Sequence, residues 1–398
     1  MTLRIALVTG QYPPQIGGVG QSAQRVAHLL AGAGMACDVV VFEKHPEAIP
    51  LDEAITTSGD GPVRVHRVRV HHPATGDGRA GEAETLTRYN REMYQALDHL
   101  QRRHGYQLLH GFFLYPGGFI ATQVGSVAGV PTLVSIRGND VGKYAFDPLR
   151  RPFVAAALER AHAVTSVATS LAVFADRTLV PIAHKTRTIL NSVDPAALAP
   201  RSRPDLGTRG LVIGTAGLLR YKKGLHSFFR ALAGLNGRFD YTVLLAGDYF
   251  AAEDREPHER ALAACGLTDR TVLTGRIPAE RMGDYLQLFD ILAFPSLFSE
   301  GCPRSMLEAM ALGKPVIGAR SGAIPEIVRH EENGLLVDPG GTEELGAAIA
   351  RLASSPETRA RLGAEAARTA RALSPERELE QWLETYRRVA ALGARDRS

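Results

Sequence analysis

Residues 191–219 read NSVDPAALAPRSRPDLGTRGLVIGTAGLL. The first twenty carry Pro195, Pro200 and Pro204 with Gly207 and Gly210, a density of breakers that marks a linker. The last nine are an apolar run ending in a glycine-containing turn, which predicts a strand. A strand pattern therefore stops and restarts here. Upstream, strands are expected at Leu3–Thr9, Cys37–Phe42, Val63–Val70, 108–112, 132–136 and 163–168, with helices around Gln21–Ala33 and Leu86–Gly105. Downstream, further strands are expected at 241–247, 270–275, 290–296 and 314–319. Strands alternating with helices predict βαβ units and mostly parallel sheets covered on both faces. The expected fold class is α/β, with two Rossmann-like, doubly wound domains facing each other across a cleft. Residues 1–190 form the first, residues 191–373 the second, and residues 374–398 a terminal helix.

That helix has a clear start: Ser374 as N-cap, Pro375 at the first helical position and Glu376 in the first turn. Leu379, Trp382, Leu383, Tyr386 and Val389 recur at helical spacing, so one face is buried. Periodicity does not say which domain receives it. The 398 residues suit two domains, and 45% hydrophobic with 22% charged residues is ordinary for a soluble globular chain. Lys and Arg exceed Asp and Glu by 46 to 42. That excess makes no case for nucleic acid and is compatible with an anionic ligand or a weakly anionic membrane surface. Cys37, Cys265 and Cys302 are scattered and odd in number, which gives no disulfide framework or zinc spacing and suits a reducing compartment. The opening MTLRIALVTG has too short an apolar run for a secretory signal, and no stretch approaches the ~20 apolar residues of a membrane span. The expected location is cytoplasmic, with peripheral contact at the inner membrane face left open.

Three stretches could carry chemistry. Gly17-Gly18-Val19-Gly20 lies between the first strand and the first helix, where the backbone can approach an anion closely. Its spacing is not G-x-G-x-x-G, so it reads equally as a ligand loop or as a turn into a helix. Arg220-Tyr221-Lys222-Lys223-Gly224 follows the strand at 211–219 and offers three cations, either a diphosphate cradle or a solvated basic turn. Residues 299–315, SEGCPRSMLEAMALGKP, place Glu300 and Gly301 in a loop before a helix opened by Pro303, with Glu308 ~1.5 turns inside. Carboxylates at the carboxyl edge of a sheet can accept hydrogen bonds from sugar hydroxyls. Acids stabilising a helix start would also explain Glu300. Glu308, among Leu307, Ala309, Met310 and Ala311, calls for a partner.

Residues 299–328, SEGCPRSMLEAMALGKPVIGARSGAIPEIV, followed by NGLLVDP at 333–339, resemble the signature of glycosyltransferase family 4. The match joins Glu300, Gly301, Pro303, Leu307, Glu308, Ala309, Gly313, Pro315, Pro325 and Glu326 in one register. NSVD at 191–194, GLLRYKKG at 217–224 and TGRIP at 274–278 fall in the same order. The likeness is strong over 190–340 and looser before it. It implies a GT-B fold and a retaining glycosyltransferase that uses a UDP-, GDP- or ADP-sugar, without cofactor or metal. It further implies that Glu308 holds the donor ribose and Glu300 the transferred sugar. Gly301, Cys302, Pro303 and Leu307 would lie beside the donor, Gly217 and Lys223 at its diphosphate, and Arg276 at the base. Gly17 and Gly18 would approach the donor phosphate or the acceptor.

The chain departs from the family pattern twice. Leu218 stands where an arginine usually follows the glycine, so Arg220 is expected to supply the cation. Arg137, in TLVSIRGND, stands at the place of the usual histidine, and an arginine does not release its proton. In a front-face mechanism the leaving phosphate can take the acceptor's proton, which leaves Arg137 to bind phosphate or an acidic group. His110, in LLHGFF, is the other candidate, as a catalytic or a structural residue. The rival readings are a non-catalytic sugar-nucleotide-binding protein, a GT-B-fold epimerase or phosphorylase, and an NAD-dependent oxidoreductase; no fingerprint supports the last. The acceptor is expected to be a sugar, a lipid-linked or a small molecule bound by the first domain, with no nucleic acid partner. The basic stretches VRVHRVRVHH (63–72) and LRRPF (149–153) are read as a membrane-facing surface or as a solvated edge strand and an exposed turn. Oligomeric state is not legible.

Overall fold

The strand signals resolve into two separate sheets, in a computed structural model that describes residues 3–15, 17–72 and 79–395. The first sheet contains β1 (Arg4–Thr9), β2 (Ala36–His45), β3 (Ile55–Asp60), β4 (Val63–His71), β5 (Leu108–Gly111), β6 (Thr132–Ile136), β7 (Ala163–Ser166) and β8 (Thr186–Thr188). The second contains β9 (Leu211–Ala216), β10 (Tyr241–Ala246), β11 (Thr271–Leu273), β12 (Ile291–Phe294), β13 (Val316–Ala319) and β14 (Leu335–Val337). One compact unit comprises residues 1–190 with 378–398, and the other residues 191–377.

In the first unit the strand order is β3-β4-β2-β1-β5-β6-β7-β8, and only the β3–β4 pair is antiparallel. Successive residues of one strand feed opposite faces. Ile5 and Leu7 join Val26 and Leu30 of helix Gly18–Gly32 on one side. Ala6 and Val8 join Met93 and Leu97 of helix Arg79–His104 on the other. Both faces are covered, which is why these strands read as continuous apolar runs.

The last helix, Pro375–Arg395, starts as its sequence predicts, with the Arg377 amide donating to Ser374 Oγ. From Glu378 onward it belongs to the first unit, and Trp382, Tyr386 and Val389 are wholly buried in the Ile5–Leu7 layer. Arg25 fixes it through a paired contact with Glu378 (2.9 Å), and the indole of Trp382 donates to the same carboxylate.

Two expectations about the basic stretches are corrected. Strand β4 is interior, because β3 forms a hairpin on its outer side. Its arginines are also engaged: Arg64 with Asp38 (2.6 Å) and Arg67 with Glu43 (2.5 Å). Nor is 149–153 a bare turn. Arg150 bridges Glu82 and Asp147, and helix Arg151–Arg160 begins there. Among the described residues no helix is long and apolar enough to cross a membrane.

The second unit is all parallel, in the order β11-β10-β9-β12-β13-β14. Numbered within the unit this is 3-2-1-4-5-6, the doubly wound order that reverses between its first and fourth strands. Its core combines those strands with Phe228, Phe229 and Leu232 of helix Leu225–Ala233 and Leu345, Ile349 and Leu352 of helix Thr342–Ser354.

Candidate functional site

The order reverses between β9 and β12, so the connections leaving those two strands part company there and open a crevice at their carboxyl ends. The β9 connection carries Gly217 to Gly224, and the β12 connection carries Ser296 to Pro303. Backbone contacts hold the two together: the Leu297 amide donates to the Lys222 carbonyl at 2.8 Å. Gly224 adopts φ +70°, and a Cβ there would lie 2.0 Å from the Pro295 carbonyl oxygen. Only glycine allows the basic loop to close onto β12 in this way.

Lys223 and Glu300, 77 residues apart, meet in this crevice, with Nζ donating to Oε2 at 3.0 Å. Ser296 Oγ donates to the other carboxylate oxygen, also at 3.0 Å. Glu300 is only 7% exposed. Burial alone would push its carboxyl up, but Lys223, Lys222 and the two hydrogen bonds outweigh it and leave the group below the ordinary carboxylate range. Lys222 is held below the usual ammonium range by burial and by its cationic neighbours Lys223 and Arg220, with Glu300 opposing. Burial also lowers Arg220, whose guanidinium lies 3.6 Å from the centre of the Phe250 ring. Three cations thus surround one buried carboxylate, and among the described residues neither Lys222 nor Arg220 has a side-chain hydrogen-bond partner. A half-desolvated surplus of positive charge is able to hold an anion.

The Glu300 loop is clamped from behind. Gly322, at φ +59°, passes so close that a Cβ would lie 1.9 Å from the Glu300 carbonyl oxygen. The Ala323 amide donates to the carbonyls of Glu300 and Gly301. Asn191 Nδ2 donates to the Cys302 carbonyl at 3.0 Å, and Ser305 Oγ to that of Ala216 at 2.8 Å. Pro303 occupies the N-cap position of helix Arg304–Ala311, one residue ahead of the first turn expected for it. Glu308, in the second turn, is buried and accepts from Arg304 Nε at 2.7 Å, the partner its apolar company called for. Leu307 is wholly buried in its side chain, so only its backbone can meet a ligand. Arg276 is exposed after β11, the edge strand two places from β9.

In the first unit the corresponding reversal lies between β1 and β5. Gly17 caps helix Gly18–Gly32 there, and a Cβ on Gly18 would meet nothing within 4 Å. Arg137 follows β6, 9% exposed, its guanidinium 4.5 Å from the centre of the Phe112 ring. Asp140, fully buried, binds the amides of Arg137 and Gly138 and fixes this turn. Burial pushes its carboxyl up to about 6 despite those amides. The catalytic candidacy of His110 is corrected. It is fully buried in β5, with Nδ1 2.7 Å from the Tyr386 hydroxyl and Nε2 2.7 Å from that of Ser135. Burial, with Arg137 nearby, holds its imidazole down at about 3. A neutral, enclosed ring with both nitrogens engaged is a packing histidine.

Sequence reasoning missed Ser296, Gly322, Ala323, Asp140 and Phe250. Ser296, a hydroxyl just past the end of a buried strand, was the one local signal available; the others act through backbone contacts or across strands. Among the described residues no three His, Cys, Asp or Glu side chains gather as a metal set.

The two doubly wound parallel-sheet units are the fold of GT-B glycosyltransferases. A family model described as "Glycosyl transferase 4-like domain" matches residues 17–191, and one described as "Glycosyl transferases group 1" matches residues 201–369. Together they take in both units, and the chain belongs to glycosyltransferase family 4. The 2-deoxystreptamine glucosyltransferase of Streptomyces kanamyceticus is 30% identical over 249 residues, 58% of this chain and 63% of that enzyme. The GDP-mannose-dependent alpha-(1-6)-phosphatidylinositol monomannoside mannosyltransferase of Mycobacterium tuberculosis is 25% identical over 382 residues, 91% of this chain and 92% of that one. Among solved structures, the sucrose-phosphate synthase of Thermosynechococcus elongatus superposes with a TM-score of 0.80 at 23% identity, covering 98% of this chain and 100% of that one. At that identity the likeness speaks for the fold alone.

Proposed function

We propose that the protein transfers a sugar from a nucleoside diphosphate sugar to an acceptor hydroxyl, with retention at the anomeric carbon. The observation that carries this reading is the Lys223–Glu300 pair, flanked by Lys222 and Arg220, at the strand-order reversal of the second unit. The bond from C1 to the diphosphate oxygen breaks while the acceptor oxygen bonds to C1, and the acceptor proton passes to the departing phosphate. Charge therefore builds on the diphosphate, where Lys223, Lys222 and Arg220 stabilise it most in the transition state. Glu300 accepts from hydroxyls of the transferred sugar, with the Gly301–Pro303 backbone alongside, and Glu308 accepts from the ribose. The first unit selects the acceptor, with Gly18 and Arg137 at the carboxyl edge of its sheet. The reading needs no metal, since the cations do the work of one. Two of the relatives named above are a glucosyltransferase and a GDP-mannose-dependent mannosyltransferase, which supports a hexosyl donor.

The test is a melting-point screen of the full chain against UDP-, GDP- and ADP-sugars, followed by NMR of the product anomer. A ligand at ~100 times its Kd adds ~2.7 kcal/mol of stability, a shift well within reach of the assay. One donor is expected to stabilise and to yield product of unchanged anomeric configuration. No shift with any donor overturns the assignment. Tight binding without transfer favours a sugar-nucleotide-binding protein, and an inverted product refutes retention.

A further inference from the structure

Arg220 and Phe250 lie on the connections that leave two neighbouring parallel strands, β9 and β10. The ladder between those strands continues past their ends: the Leu219 amide donates to Asp248 O at 2.9 Å, and the Phe250 amide to Leu219 O at 3.0 Å. A bridge pairs Leu219 with Tyr249, so the backbone sets the next residues, Arg220 and Phe250, side by side on adjacent connections. Phe250 is 55% exposed, and the guanidinium carbon of Arg220 stands 3.6 Å from its ring centroid.

A guanidinium carbon 3.6 Å from a ring centroid is at stacking distance, and a stacked guanidinium covers the ring with its face and leaves its N–H edge for a planar or bidentate acceptor. Among the described residues that edge has no hydrogen-bond partner. Its charge is favoured by Glu300, which places it within the field of the same crevice. Leu218, directly after Gly217, offers no cation of its own.

We infer that Phe250 is a positioning residue that holds the Arg220 guanidinium edge-on to the diphosphate of the donor, so that Arg220 and Phe250 together replace the cation that Leu218 cannot supply. The inference rests on the nucleoside diphosphate sugar reading of the site. Holding a long side chain in one rotamer before the ligand arrives removes part of the ordering cost of binding. A ring on the β10 connection does this without adding a further charge to the crevice.

The test is calorimetric titration of the full chain with UDP, GDP and ADP and with the matching monophosphates, for the wild type, Phe250→Ala, Phe250→Trp, Arg220→Ala and the Arg220→Ala/Phe250→Ala pair. Phe250→Ala is expected to weaken the diphosphate by about threefold to thirtyfold, the span of a cation–π contact. The monophosphate should weaken less, and the melting temperature should hold because the ring is largely exposed. Phe250→Trp should restore affinity, and Phe250→Ala should add nothing in the Arg220→Ala background. A Phe250→Ala loss that persists without Arg220 overturns the inference, as does full affinity in Phe250→Ala or in Arg220→Ala. Those outcomes leave the donor reading standing, because the wild type still binds. A wild type that binds none of the three diphosphates removes the donor reading and this inference with it.

Discussion

Replacing Lys223 with methionine keeps most of its volume and removes the charge opposite Glu300. The side chains of the pair are only 14% and 9% exposed, so this is not a surface salt bridge whose loss goes unnoticed. Removing one member of a buried pair costs ~3–5 kcal/mol, because the other charge is left without compensation. Lys222 and the Ser296 hydroxyl remain beside the carboxylate and keep it partly compensated, which brings Lys223→Met below that range, to about 2–3 kcal/mol. For a unit of this size that is a drop of ~5–10 °C in melting temperature. The pH dependence carries the sharper test. In the wild type Glu300 is held below the ordinary carboxylate range, so its stabilisation is present above that range and fades as pH falls through its lowered value. In the variant burial faces one cation fewer, so the folded protein takes up a proton more readily. The stability gap between the two should therefore be widest near neutral pH and narrow as pH falls toward 4. Adding Glu300→Gln to Lys223→Met should recover part of the loss at neutral pH. Denaturation of the full chain at several pH values, following the transition of the second unit, reads all of this. A gap that is flat with pH, or that widens on acidification, would refute the reasoning.

Three further outcomes are expected. Glu308→Gln should weaken a ribonucleotide by about tenfold to a hundredfold, the worth of a hydrogen bond to a charged group, and bring it level with its 2′-deoxy analogue in a titration. Equal discrimination in wild type and variant removes Glu308 from the ribose. His110→Ala should lower stability by ~2–4 kcal/mol through the cavity and the stranded hydroxyls of Tyr386 and Ser135, while turnover per folded molecule stays unchanged. A large fall in kcat at full stability would return His110 to the chemistry. The low imidazole value also has a sign: an unfolded histidine takes up a proton near pH 6.5 and His110 near 3, so this ring lowers native stability as pH falls between those values. Trp382→Ala should cost ~3–5 kcal/mol and expose helix Pro375–Arg395 to proteolysis, since the ring is wholly buried in the first unit; unchanged protection would deny the helix that anchoring role.

The fold was largely legible because parallel strands covered on both faces write themselves as apolar runs, and the break at 191–210 separates two sets of them. What escaped was short or amphipathic. Thr186–Thr188 is a three-residue edge strand without a fully buried residue, and Ile55–Asp60 is mostly exposed and contains a glycine. Local patterning has nothing to grip in either. Helix Pro375–Arg395 was readable as amphipathic, but the layer it covers is set by tertiary contacts with Arg25 and His110, far away in sequence. The site shows the same division. Glu300, Glu308 and the RYKKG loop are contiguous and visible. Ser296, Ala323 and Phe250 enter only because the strand order brings separate connections together. His110 shows the converse: its sequence context was that of a site, and only burial reveals that both ring nitrogens are already engaged.

The electrostatics of the second unit point in one direction. Lys222 and Arg220 are each lowered by burial, and for Lys222 the other two cations add to the effect. The Glu300 carboxylate among them is already bonded to Lys223 and Ser296. This arrangement is unfavourable in the free protein, because like charges crowd a crevice that water only partly reaches. A diphosphate removes that conflict by supplying negative charge where the cations converge, and the relief is greatest when further charge develops on the leaving group. Under the proposed function, binding and catalysis both draw on the same crowding. A neutral sugar or a nucleoside without phosphates offers no such relief, so affinity should climb steeply from nucleoside to monophosphate to diphosphate. It should also fall with salt more steeply for the diphosphate than for the monophosphate. Equal affinities along that series would mean that the three cations serve stability or another ligand, and that the crevice between β9 and β12 is not where a donor's phosphates go.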